Sequence, residues 1–451
     1  MSEPRDIRPL KGRGAVSNPE GRFESLRVTS EDDGWYQEAL PESIATVITP
    51  ERAKSIITTN DSPDVGFEYS INPYRGCEHG CPYCMGGETP VLLADGTCKP
   101  LAELRIGDEI YGTRKVGHYR RYVRTTVRAR WRTTKPAYRV TLEDGTTLIA
   151  SADHRFLTER GWKYVARSPA GWARLTPNDS LLGFGALLAR SHAQDSGDYR
   201  KGYLCGLAIR TSVKADVEAI RRLIAWPDRQ EGDWGRGFLA GIFDAEGSYS
   251  CGAARIANTD QQIIGATSAT LASLGFTSIV ETHSRSSPTR PVHYVRILGG
   301  LREHLRFVQA CRPSIERKCS IAQQAVKSKA NLRVVSVEPL PGERELFDIT
   351  TGTGDFIANG VISHNCYARP AHSYIGLSPG LDFETKLFYK ADAANVLERD
   401  LSRPGYVCKP IMIGANTDPY QPVERKLEVT RSVLEVLAKC RHPVKIGRAH
   451  V

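Results

Sequence analysis

No run of about eighteen apolar residues occurs anywhere in this 451-residue chain, which excludes a membrane-spanning helix. The opening stretch MSEPRDIRPLKGRG carries charges and a proline where a secretory leader needs an apolar core, so the sequence predicts a cytoplasmic protein with no membrane partner. Fixed-period repeats and long low-complexity tracts are also missing, which argues against a solenoid and against a disordered chain. Nor does one charge dominate: 61 Lys and Arg against 51 Asp and Glu leave +10, which permits nucleic-acid contact without requiring it. What remains is 40% hydrophobic content, enough for real cores in two to four domains. Eleven cysteines in a reducing compartment point to metal ligation, nucleophilic chemistry or burial more than to disulfides.

The texture of the chain divides it. Residues 1–65 are rich in charge, Pro and Ser and read as a loosely ordered lead-in. Over 66–83, GFEYSINPYRGCEHGCPY takes a short strand-like run into a Gly- and Cys-dense loop. From 84 to 180, short alternating runs such as AYRVTLEDGTTLIAS, with DG pairs suited to hairpin turns, predict a compact all-β unit. Helical periodicity dominates 181–330, in KADVEAIRRLIA, GFLAGIFDAEG and QQIIGATSATLASLG, with strands interleaved, so this block is α+β. The β pattern returns over 331–365, and helical and βα texture fills 366–451. An all-β unit is thus split around an α+β insert, and both interrupt something else.

The join decides what that is. Deleting the segment from Cys84 to Asn365 closes the flanks into GCEHGCPY followed by CYARP, which creates a CxxxCxxC motif from Cys77, Cys81 and Cys366. The first deleted residue is a thiol nucleophile placed to attack the Tyr83 carbonyl and convert a peptide bond to a thioester. The last is Asn365, in the string His364-Asn365-Cys366.

These ends, with MGGETPVLLADG after Cys84, the internal Ser151-Ala-Asp-His154 and the closing FDITTGTGDFIANGVISHNC, resemble those of inteins, which are autocatalytic protein-splicing domains of the all-β Hint type. The resemblance implies roles. Ser151, standing where Thr is usual, and His154 would polarise the Tyr83–Cys84 amide and protonate its nitrogen. Asp348 would be the acid of the closing blocks. Cys366 would take the acyl chain from Cys84, and Asn365 would cyclise with help from His364 to release the insert. No cofactor is implied for splicing.

Within the α+β block, Leu239-Ala-Gly-Ile-Phe-Asp-Ala-Glu-Gly247 resembles the LAGLIDADG helix of homing endonucleases. That family packs two such helices through small residues and sets an acid at the foot of each to hold a divalent ion such as Mg2+ over DNA. Glu246 would be one acid. In the second copy, Leu204-Cys-Gly-Leu-Ala-Ile-Arg-Thr-Ser212, Thr211 stands where the other should be, so degenerate cleavage activity is expected. Read without the resemblance, an apolar helix with a glycine stop is an ordinary core helix. Arg285, Arg290 and Arg296 offer a DNA-groove contact or a solvated face.

Three thiolates in CxxxCxxC suit a 4Fe-4S cluster with one open iron, or a zinc site if a fourth ligand such as His79 joins. NPYRGCEHGC, CYARPAHSYIGLSPGLDFETK and IMIGANTDPYQPVE resemble the radical S-adenosylmethionine (SAM) group similar to spore photoproduct lyase. That resemblance implies a partial α/β barrel in the interrupted host, cluster ligands Cys77, Cys81 and Cys366, and SAM bound at the open iron, with the substrate unspecified. The two flanks, 1–83 and 366–451, are together too short for a whole barrel, so a truncated host is expected, and the closing IGRAHV reads as foreign to it.

Overall fold

The computed structural model describes Asn18 and residues 44–59, 68–78, 84–117, 119–166, 173–187, 196–208, 232–250, 252–283, 291–326, 331–365, 369, 372, 375–378, 380–415 and 417–446. His79, Cys81, Tyr83, Thr211, Arg285, Arg290 and Cys366 lie outside them.

In chain order the first strands are β1 (Val47–Glu51), β2 (Ile57–Thr59), β3 (Tyr69–Ile71) and β4 (Tyr74–Arg75). Next come β5 (Met85–Gly86), β6 (Pro90–Leu92), β7 (Cys98–Pro100), β8 (Glu109–Val116), β9 (Tyr119–Leu142), β10 (Thr147–Ser151), β11 (Arg155–Thr158) and β12 (Gly161–Tyr164). The length of β9 follows from its period: Val123, Thr125, Val127, Ala129, Trp131 and Thr133 are buried, while Arg124, Thr126 and Arg128 between them face solvent. The Asp144-Gly145 pair turns β9 into β10, with Gly145 at φ +85°, which glycine adopts without a Cβ clash.

After the α+β block the strand pattern resumes in β17 (Val334–Thr351), β18 (Asp355–Ala358) and β19 (Val361–His364). These close two sheets, ordered β10-β5-β17-β9-β8 and β12-β11-β19-β18-β6-β7, and each sheet mixes strands from both sides of the block. One core joins the halves, with Val91, Ile110, Val127, Val140, Leu148 and Phe156 packed against Val334, Ile349, Phe356 and Val361. The β unit also keeps Leu181, which donates its N–H to Leu332 O, and Phe184, which donates to Gly360 O.

The block itself holds α1 (Gly197–Ala208), α2 (Gly232–Glu246), β13 (Gly247–Ser250), β14 (Ala253–Asn258), α3 (Gln261–Ser273), β15 (Ser278–His283), β16 (Val292–Ile297) and α4 (Gly300–Cys311). Its antiparallel sheet runs β13-β14-β16-β15 and is backed by a core of Phe238, Ile242, Phe243, Ile256, Val295 and Phe307. Helices α1 and α2 touch backbone to backbone. A Cβ on Gly202 or Gly206 would lie 2.1 Å from Trp234 O or 2.3 Å from Phe238 O, and one on Gly237 or Gly241 would lie 2.0 Å from Tyr199 O or 2.1 Å from Tyr203 O. Helix α4 is shared between units. Its Leu305 packs with Leu92, Tyr111, Tyr122 and Phe184 of the β unit, and Gln309 Nε2 donates to Gly96 O at 3.1 Å.

The final elements are α5 (Leu381–Thr385), β20 (Lys386–Lys390), α6 (Ala393–Leu401), β21 (Ile411–Ile413), α7 (Val429–Lys439) and β22 (Val444–Ile446). They pair with the first strands across the whole insert: β20 lies between β1 and β4, and β3, β21 and β22 run parallel in the order β2-β3-β21-β22. Helices α6 and α7 connect the parallel strands over a core of Ile71, Leu397, Ile413, Val433 and Leu437. Among the described residues no helix is long and apolar enough to cross a membrane.

Candidate functional site

Antiparallel pairing brings the two ends of the insert together. Strand β5 begins at Met85, which faces Ala150 on β10 and Phe347 on β17, so Cys84 comes level with Asp348. Asp348 in turn faces Trp131 on β9. Directly opposed residues of neighbouring strands share a face with Cβ atoms about 5 Å apart, so Trp131, Asp348 and Cys84 form a row across the sheet. At the other end, β19 stops at His364 and leaves Asn365 fully buried, with its N–H donating to Gly354 O at 3.1 Å.

Each reactive side chain is held. Ser151 donates its N–H to Cys84 O at 2.9 Å, and its Oγ accepts the Cys84 N–H, the amide of the Tyr83–Cys84 bond, at 3.4 Å. His154 follows in the tight turn after β10, with its Nε2 2.7 Å from Ser363 Oγ. Arg155, the next residue, donates from Nη2 to His364 Nε2 at 3.1 Å, which makes that ring nitrogen the acceptor, and Trp162 meets the His364 ring edge-on at 5.0 Å. Asn365 donates from Nδ2 to Thr351 Oγ1 at 3.0 Å, while Thr351 Oγ1 donates to Asp355 O at 2.9 Å. Asn365 Oδ1 has no partner among the described residues.

Burial sets the electrostatics. It pushes the Cys84 thiol well above the ordinary thiol value, reinforced by Asp348 and opposed by Lys135 and Arg369. Desolvation likewise raises the Asp348 carboxyl well above 3.8, against the hydrogen bond from Ile349 N–H and the charge of Arg369. His364 is held neutral by burial, then by the charges of Arg155 and His154. The centre therefore gathers a thiol, an acid and an imidazole away from water, each biased toward its neutral form by burial.

Sequence reasoning passed over Ser363, Thr351, Arg155 and Trp162. Arg155 and Ser363 adjoin His154 and His364, and that adjacency was the available signal. Thr351 and Trp162 reach the site only through strand pairing.

In the α+β block, Glu246 ends α2 and is partly exposed. Asp244 serves the fold: it is buried and accepts from Ser314 N–H at 2.7 Å, Ile315 N–H at 3.1 Å and Tyr203 Oη at 2.8 Å. Arg296 pairs with Glu281 at 2.7 Å across β15 and β16, a solvated-face arrangement. The connection from α1 to α2 runs only over 209–231, whereas the stretch between α2 and α4, 247–299, is more than twice as long and holds the four-stranded sheet.

Residues 233–309 match the model of the LAGLIDADG-like domain. That match begins in α2 and ends in α4, so it spans the repeat that keeps its sheet. Over 81 residues the chain is 37% identical to an uncharacterized protein of Mycobacterium tuberculosis and to one of Mycobacterium bovis, covering 18% of this chain and 24% of each of those. The match thus spans about a quarter of these relatives' length. It is also 37% identical over 84 residues to the replicative DNA helicase DnaB of Rhodothermus marinus, covering 18% of this chain and 9% of that one. Among solved structures, a DnaB intein from Synechocystis sp. PCC 6803 aligns at 15% identity, covering 62% of this chain and 97% of that one with a TM-score of 0.24. The gp41-1 intein aligns at 13% identity over 62% of this chain and 98% of that one, TM-score 0.24.

In the loop after β4, Cys77 is buried and donates its N–H to Phe383 O at 2.9 Å. Gln421, after β21, brackets the loop by accepting from Glu78 N–H at 3.1 Å and donating to Gly76 O at 3.3 Å. The loop thus sits beyond the carboxyl ends of the parallel strands β3 and β21, where α/β sheets bind ligands. Among the described residues no three metal-ligating side chains converge.

Proposed function

We propose that this chain is a precursor whose segment Cys84–Asn365 excises itself and ligates Tyr83 to Cys366. The observation that carries the reading is the common seat of the two breakpoints: β17 faces Cys84 through Asp348 and holds the Asn365 amide through Thr351 at its end. In the first step Cys84 Sγ bonds to the Tyr83 carbonyl carbon, the C–N bond breaks, and the freed amine takes a proton. Ser151 Oγ, on the N–H of that bond, fixes the orientation of the amide. The Cys366 thiol then displaces Cys84 Sγ. Asn365 Nδ2 attacks its own carbonyl carbon and expels the Cys366 amine as a succinimide forms. An S-to-N acyl shift leaves an ordinary peptide bond, and no external energy enters.

Mass spectrometry of the expressed chain tests this directly. A released piece with the mass of 84–365 and a joined product with the mass of 1–83 fused to 366–451 are expected. An intact chain alone overturns the reading.

The LAGLIDADG-like domain we read as a DNA-cleavage fold that no longer cleaves. Glu246 supplies one acid, the sequence has Thr211 in the place of the second, and among the described residues the domain holds one four-stranded sheet. The residues therefore do not fit a two-carboxylate Mg2+ site, and no cleavage step follows.

For the spliced host we read a radical SAM enzyme with Cys77, Cys81 and Cys366 as ligands of a 4Fe-4S cluster. The support is the seat of Cys77 on the loop beyond β3. Once bound, such a cluster supplies the electron that cleaves SAM reductively. In the precursor, Cys366 is tied to the insert through Asn365, so the ligand set is complete only after ligation.

A further inference from the structure

We infer that Arg369, a host residue beyond the downstream junction, completes the splicing centre as a positioning residue, so that the upstream acyl shift reaches full rate only when the downstream host segment has folded onto the insert. The inference rests on the splicing reading above. Arg369 lies outside the excised segment, yet it is 1% exposed and its guanidinium stacks 4.5 Å from the Trp131 ring of β9 and 5.3 Å from the Phe383 ring of α5. Its Nη1 donates to Gly380 O at 3.1 Å and its Nη2 is ion-paired to Glu384. Trp131 heads the row that continues through Asp348 to Cys84, so the insert presents its reactive row to a cation that only the host supplies.

The short helix α5 holds every strand of this contact. Phe383 and Glu384 seat Arg369, while Phe383 O accepts the Cys77 N–H from the upstream flank. Both host flanks and the insert thus meet at one point. In a water-poor site a cation acts on neighbouring charges far more strongly than at the surface. The charged groups around Cys84 are Asp348 and Glu384, which disfavour the thiolate, and Lys135 and Arg369, which favour it. Removing Arg369 leaves the acid and the thiol without their host cation.

The test uses the full chain carrying Asn365→Ala, in which release at the downstream end is blocked and cleavage by added dithiothreitol reports the Cys84 thioester. Arg369→Met is expected to slow this cleavage about tenfold at pH 7, the equivalent of one pKa unit, and to move the acidic limb of its pH–rate profile to higher pH. Arg369→Lys keeps the charge and is expected to restore most of the rate. Glu384→Gln is expected to move the limb the opposite way, to lower pH, a shift that loss of folding does not produce. An Arg369→Met profile identical to the parent's overturns the inference, as does equal slowing in the Met and Lys variants with an unmoved limb. If the parent gives no cleavage that depends on Cys84, the splicing reading fails and this inference with it. A normal parent with an unmoved Arg369→Met fails this inference alone.

Discussion

The proposed splicing centre and the LAGLIDADG-like domain each close on a buried interior, yet the two are built from different things. In the domain what persists is shape: four glycines let α1 and α2 touch, and even Asp244 of the motif is consumed in holding the backbone at Ser314 and Ile315. In the proposed splicing centre what persists is chemistry: a thiol, a carboxyl, an imidazole and an amide gathered out of water, with the carboxyl on the Ile349 N–H, the imidazole on Arg155 and the amide on Thr351. Packing alone maintains a fold, and only oriented, desolvated polar groups maintain a reaction.

The contrast is sharpest at the breakpoints. Cys84→Ala should abolish upstream cleavage, read by mass, and Asn365→Ala should stop downstream cleavage and let a thioester or branched species accumulate, read by the fragments that added thiol releases. Ligated product from either variant breaks the assignment. Next in size is Leu305→Ala, because α4 serves both units: a loss of about 2–5 kcal/mol is expected, with lowered melting of the β unit as well as the domain. For the same reason a short linker joining 187 to 331 should give a minimal insert that splices but melts lower. Soluble yet inert products from several linkers would show the units to be inseparable.

Gly241→Ala should cost about 1–3 kcal/mol, since its Cβ would meet Tyr203 O at 2.1 Å, while leaving the splicing rate within about twofold. Splicing lost in parallel with domain stability would erase the distinction between the two regions. Asp348→Asn tests the centre through pH. A carboxyl held above 3.8 keeps a proton that the unfolded chain releases, so its stabilisation is whole below 3.8 and declines as pH rises toward the raised value. The slope is at most about 1.4 kcal/mol per pH unit, and the Asn variant should flatten it in denaturant titrations. Smallest is Thr351→Val, which frees Asn365 Nδ2. Loss of one hydrogen bond worth roughly 0.5–1.5 kcal/mol should slow downstream cleavage about threefold to tenfold without touching the upstream step.

Much of this was readable in the chain because the seam is linear information. Cys84, His364, Asn365 and Cys366 stand at the join, and the alternation in β9 and the DG turn read directly as a hairpin. The apolar helix 239–246 was equally plain. The partners were not legible. Ser363 meets His154 through the β11–β19 pairing of segments more than two hundred residues apart, Thr351 meets Asn365 around the β18–β19 hairpin, and Arg369 reaches Trp131 through its seat on α5. The close contact of α1 with α2 was hidden for another reason: helical periodicity continues through KADVEAIRRLIA, so the glycines of the two helices acquired meaning only once α1 and α2 had bounds.

The interleaving of β5 with β17 also keeps time. Gly86 finds its partner Leu346 only after the intervening chain has been made, and at roughly 5–20 residues per second that delay is on the order of ten seconds to a minute. Throughout it Cys84 belongs to an unfinished sheet that lacks β17 and the Asp348 opposite it. The host strand β3 waits still longer for β21. On the proposed reading translation meters the reaction, because the breakpoints share a seat only once the far half of the sheet has emerged.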